Sequence, residues 1–261
     1  MSEFIRQDVK DGVATIRLCR GDLHNAFNDD MMGELSAGFD RLGTVGEVRV
    51  IVLAAEGKSF SAGADINWMR RMVDYSIEEN VRDASNLSRM LRAIRQCPKP
   101  VIARVQGAAY GGGVGLVAAC DMAVALRTVT FCLSEVKLGI VPAVISPFVM
   151  EKIGPGAARR YALTAERFDA AEARRLGLIC EVVDSPEALD AWIAEVSKAL
   201  LANGPGAIAA CKQILSQVAG VPWDHVEAIT TRKIAEIRVS PEGQEGLKAF
   251  LEKRKPNWAA G

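Results

Sequence analysis

Residues Val101 to Leu126 read VIARVQGAAYGGGVGLVAACDMAVAL, and the organisation of the rest of the chain follows from this stretch. The β-branched run after Pro100 predicts a buried strand, and Gly111, Gly112 and Gly113 predict a tight turn that opens a helix. Such a turn leaves backbone N–H groups unpaired and directed at one place, and glycine lets a ligand approach them closely. The stretch therefore predicts a binding place for a developing oxyanion or a phosphate.

Two other interpretations of the glycine-rich turn stay open at this point. Gly113-x-Gly115-x-x-Ala118 formally matches the GxGxxA fingerprint of dinucleotide-binding folds, but that motif needs a long crossover helix. Here Asp121 and the strand-like run after it end the helix within about three turns, which argues against a dinucleotide site. The small residues could also serve packing alone, by letting a helix lie close to a sheet.

Composition describes an ordinary globular protein. The 261 residues are 49% hydrophobic and 25% charged, and Lys plus Arg equals Asp plus Glu at 32 each, so the formal net charge is zero. This balance argues against a nucleic-acid partner, and the absence of a long apolar run argues against a membrane partner. The six cysteines are scattered without a CxxC pair. We therefore expect free thiols, mostly buried, in a cytoplasmic protein without a metal site.

Elsewhere the chain alternates between strand and helix patterns. Pairs of strands followed by a helix recur along the sequence, which predicts turns of a spiral stacked on one another. The expected elements are a hairpin around Asp11-Gly12, helices over about 28–42, 77–96 and 168–176, and strands over 48–55 and 178–183.

The chain changes character at Ser185. Residues 1–184 hold all the predicted strands and both small-residue turns, so we expect them to form a core that contains the functional site. Residues 185–261 consist of four amphipathic helices, each beginning at or beside a proline. A helical layer with apolar faces usually docks on something, and we expect another subunit.

A second small-residue turn, Ser61 to Ala64, follows a strand in SFSAGADINWM. The chain has only two histidines, His24 and His225, and no GxSxG, HExxH or GxxxxGK[ST] motif. What remains is the backbone N–H groups of the two turns, together with carboxylates. Glu135 is the leading candidate base because it stands between apolar runs, where desolvation raises a carboxyl pKa. Asp65 is a rival, although it could equally cap the next helix.

The segments SFSAGADI, GAAYGGGVGL and LSEVKLGIVP, in this order, resemble the crotonase superfamily of enoyl-CoA hydratases and isomerases. The likeness extends to the C-terminal AFLEKRKPNW. It implies an α/β fold, a crotonase-like spiral of ββα repeats with a C-terminal helical trimerisation region, assembled as a homotrimer or a dimer of trimers. It also implies an acyl-CoA thioester as substrate, with coenzyme A as part of that substrate and no separate cofactor.

The resemblance further implies roles for individual residues. The thioester oxygen would lie between the N–H groups of Ala62 and Gly112, an oxyanion hole that stabilises an enolate, and Glu135 would act on the acyl carbons. Phe250 and Lys253 would hold the adenosine end of coenzyme A at a subunit boundary. The full set implied to contact the coenzyme A ester is His24, Ala26, Lys58, Ala64, Asp65, Ile66, Tyr110, Phe250 and Lys253.

One position departs from the family pattern. Hydratases of the superfamily usually carry a second glutamate three residues beyond the middle glycine, where this chain has Gly115. Two carboxylates hold water between them, whereas one carboxylate suffices to move a double bond. An enoyl-CoA hydratase is therefore the first hypothesis, and a 3-enoyl-CoA to 2-enoyl-CoA isomerase and a catalytically silent acyl-CoA-binding homologue are the alternatives.

A narrower resemblance concerns the substrate. TFCLSEVKLGIVPAVISPFV and TAERFDA are similar to bacterial methylglutaconyl-CoA hydratase-like proteins, in which GGGVGL is a trait of the group. Such substrates are branched and bear a distal carboxylate, and the sequence alone identifies no cation to meet it. Side chains after Asp65 and around Val141 to Ser146 are expected to set the length and branching of the acyl chain.

Overall fold

The computed structural model describes residues 4–259, whose strands form two sheets. The larger sheet contains six strands and the smaller one four. The strands are β1 (Ile5–Lys10), β2 (Val13–Leu18), β3 (Val50–Ala55), β4 (Ser59–Ser61), β5 (Val101–Val105), β6 (Ala108–Tyr110), β7 (Met122–Leu126), β8 (Thr130–Cys132), β9 (Phe168–Asp169) and β10 (Glu181–Val183).

Helices follow the strand pairs, and every regular element after β10 in the described part of the chain is a helix. They are α1 (Asp29–Thr44), α2 (Ile66–Met72), α3 (Ile77–Gln96), α4 (Gly112–Ala119), α5 (Ser146–Thr164), α6 (Ala170–Leu176), α7 (Pro186–Leu201), α8 (Pro205–Val218), α9 (Trp223–Val239) and α10 (Pro241–Leu251). Short 3₁₀ helices cover Gly21–Leu23, Glu135–Leu138 and Asn257–Ala259.

The order of the strands shows the spiral. The larger sheet runs β1-β2-β3-β5-β7-β10 and the smaller sheet runs β4-β6-β8-β9. From β3 to β8 each turn therefore places one strand in the larger sheet and the next in the smaller sheet before the chain enters a helix. In the last turn the order is reversed, since β9 joins the smaller sheet before α6 and β10 joins the larger sheet after it. The predicted α/β spiral of ββα repeats is confirmed, and so is the first hairpin, in which β1 pairs antiparallel with β2.

In the larger sheet, strand β3 is buried on both faces. In β3, Ile51 and Leu53 belong to the main core, whereas Val50 and Val52 pack in a second cluster with Leu189 and Ile193 of α7. Alternate residues of a strand point to opposite faces, so β3 needs apolar residues throughout, as its sequence VIVLAA provides. The first helix of the C-terminal region thus covers the outer face of the core sheet. The boundary at residue 184 stays a prediction.

Two local expectations are wrong. The helix expected over 168–176 begins only at Ala170, because Phe168 pairs with Phe131 in the smaller sheet and stacks on its ring with centroids 5.5 Å apart. The thiols of Cys180 and Cys211 are exposed, although those of Cys97, Cys120 and Cys132 are buried as expected. Within residues 4–259 no helix combines the length and apolar character needed to cross a membrane.

Candidate active site

The two small-residue turns lie against each other. They follow β4 and β6, which pair in parallel, so that both turns leave the smaller sheet at the same edge. A Cβ built on Gly63 would lie 2.9 Å from the Tyr110 carbonyl oxygen and 3.2 Å from the Gly112 nitrogen. Gly63 has a φ of +88°, which glycine adopts without strain. The close approach of the turns therefore depends on glycine at this position.

The N–H group of Ala62 is not available to a ligand. It donates a hydrogen bond of 2.9 Å to the carbonyl oxygen of His24. The assignment of Ala62 to an oxyanion hole is therefore wrong, because a donor committed to a backbone carbonyl cannot also bind a thioester oxygen.

Ala64 supplies the free N–H group of this turn. Phe27 donates its N–H to the Gly63 carbonyl at 2.9 Å and accepts the Asp65 N–H at 3.1 Å, which makes a parallel bridge between Phe27 and Ala64. In such a bridge Phe27 bonds to the residues on either side of Ala64, and the N–H of Ala64 itself points away from Phe27, to the opposite side of the strand. No acceptor for the Ala64 N–H lies among the described residues.

The glycine turn at Gly111–Gly113 ends at the N-terminus of α4. Gly111 precedes the helix with φ 51° and ψ −123°, and no side chain caps the first turn. The Gly112 N–H has no acceptor in the described part of the chain. The positive end of the helix dipole adds to the attraction of this group for negative charge. A helix of this length, from Gly112 to Ala119, does not make the crossover of a dinucleotide fold.

Phe27 connects both turns. Besides its backbone bonds around Ala64, its ring carbon Cζ lies only 2.3 Å from where a Cβ on Gly112 would be. The ring is 1% exposed and packs near Trp68, with centroids 6.3 Å apart. Gly112 therefore lacks a side chain because the Phe27 ring lies there, whereas the sequence had suggested room for a ligand. The same residue holds both free N–H groups in place.

Glu135 stands beside this pair of turns. Its Oε1 lies 3.2 Å from where a Cβ on Gly111 would be. The other carboxylate oxygen, Oε2, is buried and has no hydrogen-bond partner within residues 4–259. Burial raises the pKa of Glu135 above the usual glutamate value, because the charged form is desolvated. A buried carboxylate oxygen without a partner is costly, so its presence points to a chemical role.

The position of the missing second glutamate is filled. A Cβ on Gly115 would lie 2.4 Å from Cγ2 and 3.0 Å from Cβ of Ile145, the residue that precedes α5. Ile145 is 2% exposed. The side chain of Ile145 therefore occupies the space that a longer residue at position 115 would need. Of positions 115 and 135, only position 135 carries a carboxylate.

This packing makes a testable prediction. Gly115→Ala should lower the free energy of unfolding by about 1–3 kcal/mol, because the added methyl group overlaps Ile145. Ile145→Ala should also destabilise the protein, but the double variant should lose less than the sum of the two changes. Urea unfolding of the four proteins measures the coupling. Additive effects would mean that the two positions are not in contact.

Asp65 is engaged in structure. Its Oδ1 accepts the N–H groups of Asn67 and Trp68 and so caps α2, and its Oδ2 pairs with Arg20 at 2.8 Å. Burial alone would raise the pKa of Asp65, but the hydrogen bonds from Arg20 and from the Trp68 and Asn67 amides outweigh it and lower the pKa. Of the two interpretations left open by the sequence, the helix cap is confirmed.

The other predicted residues are divided between the site and the surface. His24 is exposed and its Nδ1 lies 3.0 Å from Ser59 Oγ, while the carbonyl of buried Ala26 accepts from Arg20 at 2.6 Å. Both residues adjoin the turn at Ser61–Ala64. The hydroxyl of Tyr110 lies 2.9 Å from Thr130 Oγ1, although its backbone carbonyl faces Gly63. Lys58 is exposed before β4, and Ile66 is 68% exposed at the start of α2.

Phe250 and Lys253 lie at the C-terminal end of α10 and just after it. Phe250 is 79% exposed and Lys253 is exposed as well. No hydrogen bond or ion pair in the described part of the chain joins them to the two turns. Their role at a subunit boundary stays a prediction.

Phe27 and Ile145 were missed by sequence reasoning. Phe27 is the single aromatic residue in the polar segment from Arg20 to Asp30, which could have indicated that the segment turns inward. Asn25 was missed too: it is fully buried, and its Nδ2 donates to the carbonyls of Glu56 at 2.7 Å and Ser59 at 2.9 Å. These bonds hold the loop before β4 against the segment that contains Asn25.

The model of the enoyl-CoA hydratase/isomerase family matches residues 8–261. The chain belongs to this family, its spiral is the crotonase fold, and it is an enzyme of the hydratase or isomerase kind.

Individual relatives include both kinds of enzyme. An enoyl-CoA hydratase from Shewanella pealeana ATCC 700345 is 45% identical, and its crystal structure superposes with a TM-score of 0.94 over 98% of this chain and 96% of that one. The short-chain-enoyl-CoA hydratase of Clostridium acetobutylicum is 30% identical over 93% of this chain and 92% of its own length. A peroxisomal Delta(3,5)-Delta(2,4)-dienoyl-CoA isomerase of Arabidopsis thaliana is 31% identical over 98% of this chain and 96% of its own length.

Proposed function

We propose that the protein is an enoyl-CoA hydratase that adds water across the 2,3 double bond of an acyl-CoA thioester. The observation that carries the proposal is the buried, unpaired carboxylate oxygen of Glu135 beside two unpaired backbone N–H groups, those of Ala64 and Gly112. This arrangement combines a base with donors for a developing negative charge.

In the proposed mechanism the thioester oxygen accepts hydrogen bonds from the Ala64 and Gly112 N–H groups. Glu135 takes a proton from water while the water oxygen bonds to the β carbon, and the π electrons move onto the thioester as an enolate. The two N–H groups stabilise the enolate oxygen. Glu135 then returns the proton to the α carbon, so that the net change is the addition of one water molecule.

The isomerase is the second candidate, and a specific observation favours it. Ile145 fills the space beside Gly115, so Glu135 has no carboxylate partner at that position. A single carboxylate can take a proton from the carbon next to a 3,4 double bond and return it to another carbon. No second acid is needed for that reaction.

The narrower resemblance supports a branched, methylglutaconyl-CoA-type acyl group as the substrate. Coenzyme A would enter as part of this substrate and leave with the product, so no separate cofactor is proposed. We also propose a cytoplasmic location for the protein, since free thiols suit a reducing compartment.

The deciding experiment compares crotonyl-CoA, a 3-enoyl-CoA and methylglutaconyl-CoA as substrates in ¹⁸O-labelled water. A hydratase incorporates the label at the β carbon of the product, whereas an isomerase forms an unlabelled 2-enoyl-CoA from the 3-enoyl ester. Absence of turnover on all three, with retained binding, would favour the catalytically silent homologue.

The pH profile is a further test of the base. Both reactions begin with the ionised form of Glu135, so kcat/KM should fall as the pH drops through the pKa of this group in the free enzyme. Because burial raises that pKa, the acid limb should lie above the usual glutamate range. A limb at the unperturbed position, about pH 4.3, would show that a solvated carboxylate limits the rate.

We propose that the protein assembles as a homotrimer or a dimer of trimers. Large apolar side chains on the last two helices support this proposal, since Trp223, Val239, Phe250 and Leu251 are each more than three-quarters exposed in the single chain. Light scattering should give the mass of a trimer or a hexamer. A monomer at micromolar concentration would contradict the proposal.

A further inference from the structure

A cavity shares lining residues with the surroundings of the candidate active site. It has a volume of about 250 Å³ and lies along α5, and Leu133 and Ile145 are among the residues that line it. Leu133 precedes Glu135 by two residues, and Ile145 is the side chain that packs beside Gly115. Two of the residues that line the cavity therefore also belong to, or contact, the segments that carry Glu135 and Gly115.

The lining of the cavity is apolar except at Ser146 and Arg159. Leu133, Ile145, Val149, Ala158 and Ala162 contribute hydrocarbon, and the single charged side chain in the lining formed by the described residues is that of Arg159. Among residues 4–259 no acidic side chain lines the cavity. An apolar channel with one cation fits a hydrocarbon chain that ends in a negative charge.

Arg159 differs from the other arginines of α5 and α6. Arg160 pairs with Glu166 at 2.6 Å, Arg174 with Glu181 at 2.9 Å and Arg175 with Glu172 at 2.6 Å. Arg159 has no carboxylate partner among residues 4–259. Its guanidinium is thus free to form a bidentate bond with an incoming carboxylate, a geometry that the planar fork favours.

We propose that this cavity receives the distal end of the acyl chain and that Arg159 makes the enzyme select chains that end in a carboxylate. The inference rests on the proposed function, since it takes the acyl group to lie with its β carbon at Glu135. It adds to that function a specificity-determining residue, Arg159, which would bind the distal carboxylate of the acyl group.

The test uses 2-enoyl-CoA thioesters of matched chain length that end either in a methyl group or in a carboxylate. Arg159→Gln should reduce kcat/KM on the carboxylate-ended esters by about tenfold, the size expected for one charge-assisted hydrogen bond. It should leave the methyl-ended esters nearly unchanged. Arg160→Gln is the matched control, because the neighbouring arginine pairs with Glu166 and does not line the cavity.

Ala162→Phe tests the cavity separately from the charge. A phenyl ring there should fill the space and reduce kcat/KM on long esters of both kinds, with crotonyl-CoA turned over as before. Equal effects of Arg159→Gln on both kinds of ester would overturn the selection by charge. Unchanged turnover of long esters by Ala162→Phe would contradict the proposal that the acyl chain lies in this cavity.

Failure of the proposed function is distinguishable from failure of this inference. Saturated acyl-CoA thioesters with and without a terminal carboxylate bind without reacting, and calorimetry measures their affinities. If the protein turns over no enoyl-CoA but Arg159→Gln still weakens only the carboxylate-ended ligands, the selection by Arg159 stands and the hydratase proposal falls. If Arg159→Gln changed the affinities for ligands with and without a terminal carboxylate equally, the result would contradict the role of Arg159 directly.

Discussion

Replacement of Glu135 by glutamine is expected to lower turnover by about 10²–10⁴-fold, the contribution of a positioned acid–base group. Glutamine keeps the shape of the side chain but cannot accept a proton from water. Binding of the coenzyme A ester should be nearly unchanged, because the N–H groups of Ala64 and Gly112 remain. A kinetic assay for kcat and calorimetry with a saturated acyl-CoA measure the two effects separately.

The same variant should be more stable than the parent at neutral pH. Burial raises the pKa of Glu135 in the folded state above its value in the unfolded chain. The stabilising contribution of the protonated side chain is therefore fully present below the unfolded pKa, and it is lost as the pH rises through the folded pKa. Glutamine stays neutral and avoids that loss. Urea unfolding at acid and neutral pH should show a difference only at the higher pH.

Glu195→Gln is the control for this variant, since Glu195 is exposed on α7 and lies outside the site. It should leave the rate unchanged. Retention of most activity by Glu135→Gln would place the base elsewhere and overturn the assignment.

The second large effect is expected at the backbone of position 64. Replacing Ala64 with lactic acid turns its amide into an ester and removes the N–H without adding atoms. Loss of one oxyanion donor costs about 10²–10³-fold in kcat. The binding of a saturated ester should change far less, since the enolate carries more charge than the ground-state carbonyl.

The same replacement at Ala62 is a matched control. Each ester also weakens the carbonyl of the preceding residue as a hydrogen-bond acceptor. Because this side effect is common to positions 62 and 64, a difference between the two variants reports the loss of the N–H group itself. At position 62 the lost bond is the one to His24, and the expected result is a loss of about 1 kcal/mol of stability with a much smaller change in kcat. A larger loss of turnover at position 62 than at position 64 would return the catalytic role to Ala62.

Local patterns in the sequence were sufficient for several features. The glycine turn before α4, the hairpin at Asp11-Gly12 and the long helix α3 depend on residues close together in the chain, and each was predicted correctly. Glu135 could be selected because its apolar flanks already indicated desolvation, and the structure has its carboxylate buried with a raised pKa. Its catalytic role stays a prediction.

What the sequence determined by itself is the set of elements, the spiral order and the two turns that could bind an oxyanion. Only the tertiary structure decided which N–H groups are free, because a hydrogen bond from Ala62 depends on His24, which reaches it through the fold. The same holds for Phe27 under Gly112 and for Ile145 beside Gly115, whose contacts join distant segments. Sequence patterns report periodicity and local conformation, whereas the availability of a donor and the filling of a space depend on atoms brought together by packing.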